Sequence, residues 1–278
     1  MSIDLTSDGA VAGTPSSPDV RCPFHANRGR MQHGERKTVV LTGASRGIGH
    51  ATGKLFSEAG WRIISCARQA FDSGQCPWTS GADDHVQVDL SNHRMLPRAI
   101  VEIKERLSGE PLHALINNAG ASPKAPNGTR LTSLTTSVET WMSVFHLNLV
   151  APILLAQGLF RDLKAGSGSI VNVTSIAGSR VHPFAGSAYA TSKAALACLT
   201  REMAHDYAPH SIRVNAIAPG EIKTDILSPD TEERLVPNIP LRRVGTPEEV
   251  AKVIFFLCSD AASYVTGTEV PINGGQHL

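Results

Sequence analysis

The sequence has almost no excess of charge of either sign. Its 278 residues include 26 Lys and Arg against 25 Asp and Glu, so the formal net charge is +1. That balance gives no support for a nucleic acid or an anionic membrane as a partner. No apolar run approaches the ~18 residues of a membrane span, and the N-terminal residues include no apolar segment typical of a secretory signal. We therefore expect no nucleic-acid partner and no membrane partner.

The sequence also lacks a cysteine pattern that would build a disulfide framework or a zinc site. The five cysteines are scattered, odd in number and without the paired spacing of zinc ligands. Cys22, His25 and His33 lie near one another, but they have no fourth ligand, so no metal site is predicted. Unpaired thiols indicate a reducing compartment, and we expect a cytoplasmic protein.

Residues 1–36 differ in composition from the rest of the chain. They carry Ser, Asp, Gly, Pro and Arg without periodicity, as in "GTPSSPDVRCPF". This composition predicts a flexible N-terminal extension that contributes little to a core, with an arm that docks on a partner subunit as the alternative. The remaining residues, 37–278, are enough for a single large α/β domain.

Strand-like and helix-like segments alternate along residues 37–278. Strands are predicted at "KTVVLTG", "WRIISCA", "HVQVDL" (85–90), "LHALINNAG", "SIVNVTS", "IRVNAIAPG" and near 268–272. Helices are predicted over about 48–59, 95–107, 138–164, 187–208 and 247–258, the last with Thr246 as N-cap and Glu249 at N3. This alternation predicts an α/β fold, a single Rossmann-type doubly wound parallel sheet of about seven strands with helices on both faces.

The first predicted strand runs into a glycine-rich turn, "TGASRGIG" (42–49). Gly43, Gly47 and Gly49 have a G-x-x-x-G-x-G spacing, which departs from the G-x-G-x-x-G of the common dinucleotide fingerprint. Both glycine patterns can bind a phosphate for the same reason. The glycines let the backbone approach a pyrophosphate, and the helix N-terminus supplies amide donors. A strand before the turn and a helix after it favour a phosphate-binding role over an ordinary glycine turn.

Four polar residues point to catalysis. Tyr189 and Lys193 in "YATSK" are four apart on a predicted helix and so share one face. Ser175 ends a predicted strand, where ligand sites gather in open parallel sheets. Asn148 lies in the middle of a predicted helix, a poor position for Asn unless its side chain makes a specific interaction. A half-buried tyrosine beside a surface lysine is the alternative interpretation of the first pair.

With these motifs together, the chain resembles the short-chain dehydrogenase/reductase family, in its single-domain type, and is similar to the 3-oxoacyl-acyl-carrier-protein reductases within it. The resemblance covers residues 37–275. It depends on "TGASRGIG", "DL" at 89–90, "NNAG" at 117–120, Asn148, Ser175, "YATSK", "RVNAIAPG" and "VTGTEVPINGG".

The resemblance implies a role for each of the four residues. Tyr189 would be the general acid or base on the substrate oxygen, and Lys193 and an oxidised nicotinamide would favour its tyrosinate form. Lys193 would also bond the nicotinamide ribose. Ser175 would donate to the substrate oxygen. Asn148 would hold a water that links Lys193 to solvent.

The resemblance also implies which residues bind the cofactor in a single dinucleotide-binding catalytic domain. Asp89 would accept from the adenine amino group, Asn117 would lie along the adenosine ribose, and Thr224 would bond the nicotinamide carboxamide. The full set of implied cofactor-binding residues is Gly43, Ser45, Arg46, Gly47, Ile48, Gly49, Arg68, Asp89, Leu90, Asn117, Ala119, Gly120, Tyr189, Lys193, Pro219, Gly220, Ile222 and Thr224.

The end of the second strand bears on the choice between NAD and NADP. In NAD-using members of the family an acidic residue there bonds both ribose hydroxyls. The corresponding position here is Ala67, followed by Arg68, and Arg46 lies in the glycine turn. Two guanidiniums without a carboxylate suit a 2′-phosphate, so NADP(H) is favoured over NAD(H). The alternative is that both arginines are solvated loop charges.

Two segments depart from the family's pattern. The stretch "QAFDSGQCPWTSGADD" predicts an irregular loop in place of a helix, in which Trp78 covers the adenine end or simply packs. Residues 221–243 correspond to the family's substrate lid. At the start of this segment Glu221 introduces a carboxylate, whereas the acyl-carrier reductases tend to have an apolar residue at that position. The carboxylate indicates a polar substrate or, equally, a charge that faces solvent. His182 and Phe184 are candidates for the wall of the substrate pocket.

The sequence thus predicts an NADP(H)-dependent oxidoreductase that interconverts a small-molecule ketone or aldehyde with an alcohol by hydride transfer. Two alternatives stay open: an NAD-dependent dehydrogenase of a polar alcohol or sugar, and a non-catalytic nucleotide-binding regulator built on the same fold. The resemblance further implies a homotetramer, or a dimer, paired through the helices predicted over 138–164 and 187–208.

Overall fold

The computed structural model describes residues 36–74, 76, 78, 81–224 and 234–278. The chain divides into two units, Met1–Glu35 and Arg36–Leu278. All of the predicted extension except Arg36, and with it the conceivable metal ligands among residues 22–33, therefore lies outside the described residues, as does the centre of the predicted lid, 225–233.

Seven parallel strands form one sheet in the order β3-β2-β1-β4-β5-β6-β7, as predicted. The strands are β1 (Thr38–Thr42), β2 (Arg62–Ala67), β3 (His85–Gln87), β4 (Ala114–Asn117), β5 (Ser169–Val173), β6 (Arg213–Pro219) and β7 (Glu269–Ile272). Every residue of β1, β4 and β5 is buried, which is typical of a parallel sheet covered on both faces. The chain order reverses between β1 and β4, and ligands bind at such a switch point in open α/β sheets.

Helices cover both faces of the sheet. They are α1 (Gly47–Glu58), α2 (Leu96–Leu107), α3 (Val138–Phe145), α4 (Ala151–Gly158), α5 (Phe160–Ala165), α6 (Ser187–Tyr207) and α7 (Pro247–Cys258). Neighbouring strand residues point into different cores: Val40 and Leu115 join the cluster that includes α2 and α4, while Val39 and Ile116 join the one that includes α1 and α7. The period of two along a strand thus produces two cores, one on each face.

The start of α7 confirms a local prediction. Thr246 is the N-cap, its hydroxyl accepts from the backbone N–H of Glu249, and the Glu249 carboxylate accepts from the backbone N–H of Thr246 at 2.8 Å. This reciprocal capping box satisfies two amides that a helix leaves unpaired at its first turn.

The prediction of one helix over 138–164 is confirmed only as far as Gly158, and that stretch is not a regular α-helix throughout. After α3 the chain forms a π-helix at His146–Val150, continues as α4 and then breaks at Leu159 before α5. Pro152 supplies a physical reason for the wide turn. It has no N–H to offer the carbonyl of Asn148 four residues earlier, so the regular ladder cannot continue there.

The same stretch, Val138–Gly158, is long and apolar enough to cross a membrane by length and composition alone, with a mean hydropathy of 1.4. No membrane segment was predicted from the sequence, because no apolar run approaches the ~18 residues of a span. Only 28% of this window is buried inside the structure. A single helix of this kind is weak evidence for a membrane span, since core helices of soluble proteins meet the same criterion.

The region after β2 is irregular, as predicted from its composition. The described residues between Arg68 and Gly81 form turns and extended backbone, and a short 3₁₀ helix follows at Ala82–Asp84. Trp78 is buried, and its ring lies against Gly53 of α1, where a Cβ atom would come within 2.9 Å of it. Trp78 therefore packs on α1. The predicted strand over 85–90 is shorter than expected, since β3 ends at Gln87.

Candidate active site

A cavity of about 610 Å³ opens at the carboxyl ends of the central strands, next to the switch point between β1 and β4. All but three of the site residues predicted from the sequence line it. The three that do not are Gly49, Asn117 and Asn148. Each of these lies behind the cavity wall and contacts residues that line it or support it.

The glycine turn between β1 and α1 is closely packed. Gly43 and Gly47 have positive φ angles of 69° and 55°, which only glycine adopts without strain. A Cβ atom on Gly49 would lie 2.1 Å from the carbonyl oxygen of Gly43, so no other residue fits there. The α1 N-cap residue, Arg46, makes no side-chain cap, so the first amides of the helix face the cavity without an internal acceptor.

Asn118 supports this turn, a role that the sequence analysis missed. Its Nδ2 donates to the carbonyls of Thr42 and Gly43, both at 3.0 Å. The Thr42 hydroxyl in turn accepts from the backbone N–H groups of Asn118 and Ala119 at 3.0 Å. These bonds fasten the end of β4 to the end of β1. The "NNAG" motif was the available signal, but it did not show which Asn has this role.

Asn117 lies on the other side of β4. Its side chain is buried, and its Nδ2 donates to Oδ1 of Asn172 on β5 at 2.8 Å. The amide of Asn172 donates in turn to the hydroxyl of Thr200 on α6 at 2.9 Å. The structure therefore does not bring the Asn117 side chain to the cavity where the adenosine ribose was expected. Alternation along the strand explains this, since Asn118 faces the cavity instead.

The part of the cavity next to β2 carries two exposed guanidiniums. Arg46 and Arg68 both line the cavity, and β2 ends at the buried Ala67 with no acidic side chain. Within the described residues neither arginine forms an ion pair. The backbone of Arg68 is held by Gln87, whose Nε2 donates to its carbonyl at 3.0 Å. Two cations are thus available at this corner for an anionic ligand group.

Tyr189 and Ser175 meet at the other end of the cavity. Ser175 follows β5 as the N-cap of a 3₁₀ helix, where its hydroxyl accepts from the N–H of Ala177 at 3.2 Å. Burial raises the pKa of Tyr189, a hydrogen bond with the Ser175 side chain lowers it, and the negative charge of Glu221 raises it again. The net pKa is raised, opposite to the tyrosinate-favouring effect expected of Lys193, so the phenol stays protonated at neutral pH.

Lys193 lies one helical turn after Tyr189 on α6 and is buried. Its Nζ donates to the carbonyl of Val173 at 2.6 Å and lies 5.7 Å from the centroid of the Tyr189 ring. Burial lowers the pKa of this ammonium to about 8. The end of β5 thus fixes the ammonium beside the phenol ring.

Asn148 is fully buried in the π-helix and braces the site from behind. Its Oδ1 accepts from the N–H of Ala121 at 3.0 Å, and its Nδ2 donates to the Ser192 hydroxyl at 2.9 Å. A Cβ atom on Gly120 would lie 3.2 Å from Nζ of Lys193 and 3.4 Å from Oδ1 of Asn148. Gly120 therefore lies between these two polar groups, and a side chain there would crowd the ammonium of Lys193.

The wall of the cavity beyond Tyr189 is polar. His182 and Glu221 both line it and are joined by a hydrogen bond of 2.5 Å between Nε2 and Oε1. Lys124 also lines it, and its ammonium donates to the carbonyl of Phe184. His182, Phe184 and Glu221 were predicted candidates, whereas the pairing of His182 with Glu221 and the position of Lys124 were not predicted from the sequence.

Comparisons with known proteins identify the relatives of this chain. A family model described as Enoyl-(Acyl carrier protein) reductase matches residues 43–277. The chain is 74% identical to Protein FixR of Bradyrhizobium diazoefficiens over 278 residues, which is all of both chains. It is 34% identical to the 3-oxoacyl-acyl-carrier-protein reductase FabG of Aquifex aeolicus over 252 residues, 86% of this chain and 96% of that one.

A solved structure is similar over the same region. It is an oxidoreductase of the short-chain dehydrogenase/reductase family from Brucella ovis, in complex with a partially ordered NAD. The two are 57% identical with a TM-score of 0.74, and the match covers 86% of this chain and all of that one.

Fold and site together define an oxidoreductase that uses a pyridine nucleotide at the carboxyl edge of a Rossmann-type sheet. The chain belongs to the short-chain dehydrogenase/reductase family.

Proposed function

We propose that the chain catalyses the NADP(H)-dependent interconversion of a small-molecule ketone or aldehyde with the corresponding alcohol. The observation that carries this proposal is the meeting of Ser175, Tyr189 and Lys193 at one end of the cavity, at the end of β5. A hydroxyl, a phenol and an ammonium at this point can bind, protonate and stabilise a carbonyl oxygen that gains charge.

The bound nicotinamide supplies or accepts the hydride. In the reducing direction Tyr189 gives its proton to the carbonyl oxygen, and its raised pKa keeps that proton available at neutral pH. Ser175 donates to the same oxygen and fixes its position. Lys193, held on the carbonyl of Val173, stabilises the phenolate that remains. Asn148 holds the loop at Ala121, and a water bound by Asn148 is the proposed link through which Lys193 regains a proton from solvent.

Two observations support a dinucleotide in the remainder of the cavity. The close approach of Gly43 and Gly49 leaves the backbone open to a pyrophosphate beside the first amides of α1. Asp89 and Leu90 line the cavity on the side of β3, and Pro219, Gly220 and Thr224 line it on the side of β6. In the proposed binding mode the first group contacts the adenine, and the second group contacts the nicotinamide.

NADP(H) is the proposed preference, and NAD(H) is the second candidate. Arg46 and Arg68, unpaired within the described residues and without an acid at Ala67, support a 2′-phosphate. The partially ordered NAD of the Brucella ovis oxidoreductase favours the second candidate. A ratio of kcat/KM for NADPH over NADH well above 1, measured with one ketone, supports the first; a ratio below 1 supports the second.

The experiment that tests the reaction is NADPH oxidation with a panel of ketones and aldehydes, followed by absorbance at the nicotinamide band. Turnover by the wild-type chain and its loss in Tyr189→Phe support a Tyr189-dependent reductase. Equal turnover by both forms would contradict the assigned role of Tyr189. Nucleotide binding without turnover of any carbonyl or alcohol would favour a non-catalytic regulator.

We further propose that residues 37–278 form a single catalytic domain preceded by a flexible extension, in a cytoplasmic homotetramer. The apolar side chains of Leu134, Val138 and Met142 are 94%, 70% and 54% exposed, which supports a subunit contact along α3. The described cysteines Cys66, Cys76, Cys198 and Cys258 are all free, as in a reducing compartment. Light scattering distinguishes a tetramer from the alternative dimer.

A further inference from the structure

The strongest feature that the proposed reaction leaves unexplained is the pair His182–Glu221. The two residues are 39 positions apart and come from the loops that follow two adjacent strands, β5 and β6. Their side chains are only 13% and 11% exposed, and both line the cavity. The pair thus holds a nearly buried carboxylate at the wall of the cavity, where the proposed reaction assigns it no role.

The hydrogen bonds show which atoms of this pair are already occupied. The backbone N–H of Phe184 donates to Nδ1 of His182 at 3.3 Å, so Nδ1 is an acceptor and Nε2 carries the hydrogen that Glu221 Oε1 accepts. Both nitrogens of His182 are therefore engaged. Within the described residues the second carboxylate oxygen of Glu221, Oε2, accepts no hydrogen bond. His182 is thus a positioning residue, and Oε2 is the atom available to a ligand.

The carboxylate shares this wall of the cavity with a cation. Tyr189 and Glu221 line the same cavity, and after burial the charge of Glu221 contributes to the raised pKa of Tyr189. Lys124 lines the cavity too, and its ammonium donates to the carbonyl of Phe184, whose N–H in turn bonds the ring of His182 that holds Glu221. A ligand group between these two charges meets an acceptor on one side and a donor on the other.

We propose that Glu221 and Lys124 bind a hydroxyl on a carbon next to the reacting carbonyl, so that the substrate is a hydroxy ketone or, in the other direction, a vicinal diol. This inference rests on the proposed reaction and names its substrate class. A hydroxyl donates to Glu221 and accepts from Lys124 at once, whereas Lys124 repels an ammonium, Glu221 repels a carboxylate, and an alkyl chain leaves both charges unpaired. A fatty-acyl chain therefore fits this wall poorly.

The test uses ketones that differ in one group. 1-Hydroxybutan-2-one and pentan-3-one have nearly the same shape but differ in a hydroxyl against a methyl, and 1-aminobutan-2-one and 3-oxopentanoate carry an ammonium and a carboxylate. The expected kcat/KM of the wild-type chain is about 10- to 100-fold higher for the hydroxy ketone than for pentan-3-one, the range for a hydrogen bond to a charged group. The amino and carboxylate members should also be poorer than the hydroxy ketone.

Two variants link this preference to Glu221. In Glu221→Met the ratio between hydroxy ketone and pentan-3-one should fall to about 1. In Glu105→Gln, which changes the charge equally at an exposed site on α2, the ratio should keep its wild-type value. A wild-type ratio near 1, a preference for the amino or carboxylate member, or a ratio unchanged in Glu221→Met would overturn the proposal. If Glu221→Met does not fold, the comparison of the four ketones with the wild-type chain is sufficient to test the proposal.

A binding measurement separates this proposal from the reaction itself. Calorimetry compares butane-1,2-diol with pentan-3-ol on the chain saturated with whichever of NADP⁺ or NAD⁺ binds more tightly. Tighter binding of the diol, lost in Glu221→Met, supports the hydroxyl site even if no ketone in the panel is reduced. Equal binding of the two alcohols overturns it even if ketones are reduced, and leaves the proposed reaction standing.

Discussion

The ammonium of Lys193 donates to the backbone carbonyl of Val173 at 2.6 Å, so a helix side chain is fastened to the last residue of the adjacent strand. The phenol of Tyr189 lies one helical turn earlier on the same face. The catalytic helix is therefore positioned by the strand that also presents Ser175. The geometry of the three groups depends on the register of β5 against α6 and not on a flexible loop.

The first prediction concerns pH. Burial lowers the pKa of Lys193 to about 8, so the ammonium is present below that pH and is lost above it. If the ammonium supports catalysis, kcat/KM for NADPH, which reports groups of the free enzyme, should fall as pH rises through about 8. Titration of Tyr189 cannot produce this limb, because its pKa is raised above the ordinary value near 10. A profile that is flat to pH 10 would contradict the role of Lys193.

The second prediction concerns the 2′-phosphate. Arg68→Ala should raise the KM for NADPH by about tenfold, the low end for a hydrogen bond to a charged group, because this side chain is exposed. The KM for NADH should change far less. Arg161→Ala, an exposed arginine on α5, is the control and should leave both constants unchanged. Equal effects of Arg68→Ala on the two cofactors would refute the assignment.

The third prediction concerns the glycine turn. Gly49→Ala should abolish measurable NADPH binding and lower the free energy of unfolding by about 1–3 kcal/mol, since its Cβ would overlap the carbonyl oxygen of Gly43. Gly109→Ala is a control for backbone strain alone, because Gly109 has φ 82° with open space around it. That variant should lose about 1–2 kcal/mol of stability and keep the wild-type Kd for NADPH. Calorimetry and thermal unfolding measure both quantities.

The fourth prediction separates support from catalysis at Asn148. Asn148→Ala removes the acceptor of the Ala121 N–H and the donor to Ser192, so Tm and kcat should both fall. Ser192→Ala removes one of these bonds and leaves the Asn148 side chain in place. It should lower Tm with a smaller loss of kcat. If both variants lose kcat in proportion to their loss of Tm, Asn148 has only a structural role.

Much of the fold follows from local sequence patterns. The apolar strands, the turn "TGASRGIG" and the capping box at Thr246 involve neighbours in sequence, whose chemistry determines their geometry directly. The spacing of Tyr189 and Lys193 also determines their geometry locally, because residues four apart lie about one helical turn apart on the same face of a helix. For these parts, the sequence predicts both the element and the face that it presents.

Other features depend on contacts distant in sequence. A π-helix interrupts the helix predicted over 138–164. Asn148, which lies in this π-helix, forms hydrogen bonds with Ala121 and Ser192, which are 27 and 44 positions away in the sequence. The pairing of His182 with Glu221 requires two loops to meet after the sheet has formed. Whether Asn117 or Asn118 faces the cavity depends on the exact register of β4, where a shift of one residue exchanges the two sides.

The central claim is hydride transfer to a carbonyl with Tyr189 as the proton donor. The most direct measurement is the deuterium content of the alcohol formed from 1-hydroxybutan-2-one and NADPH that carries deuterium at both C4 positions of the nicotinamide, determined by mass spectrometry. The account predicts one deuterium on the carbinol carbon with the wild-type chain and no alcohol above background with Tyr189→Phe. Alcohol that carries no deuterium, or the same yield of deuterated alcohol from both forms, would contradict it.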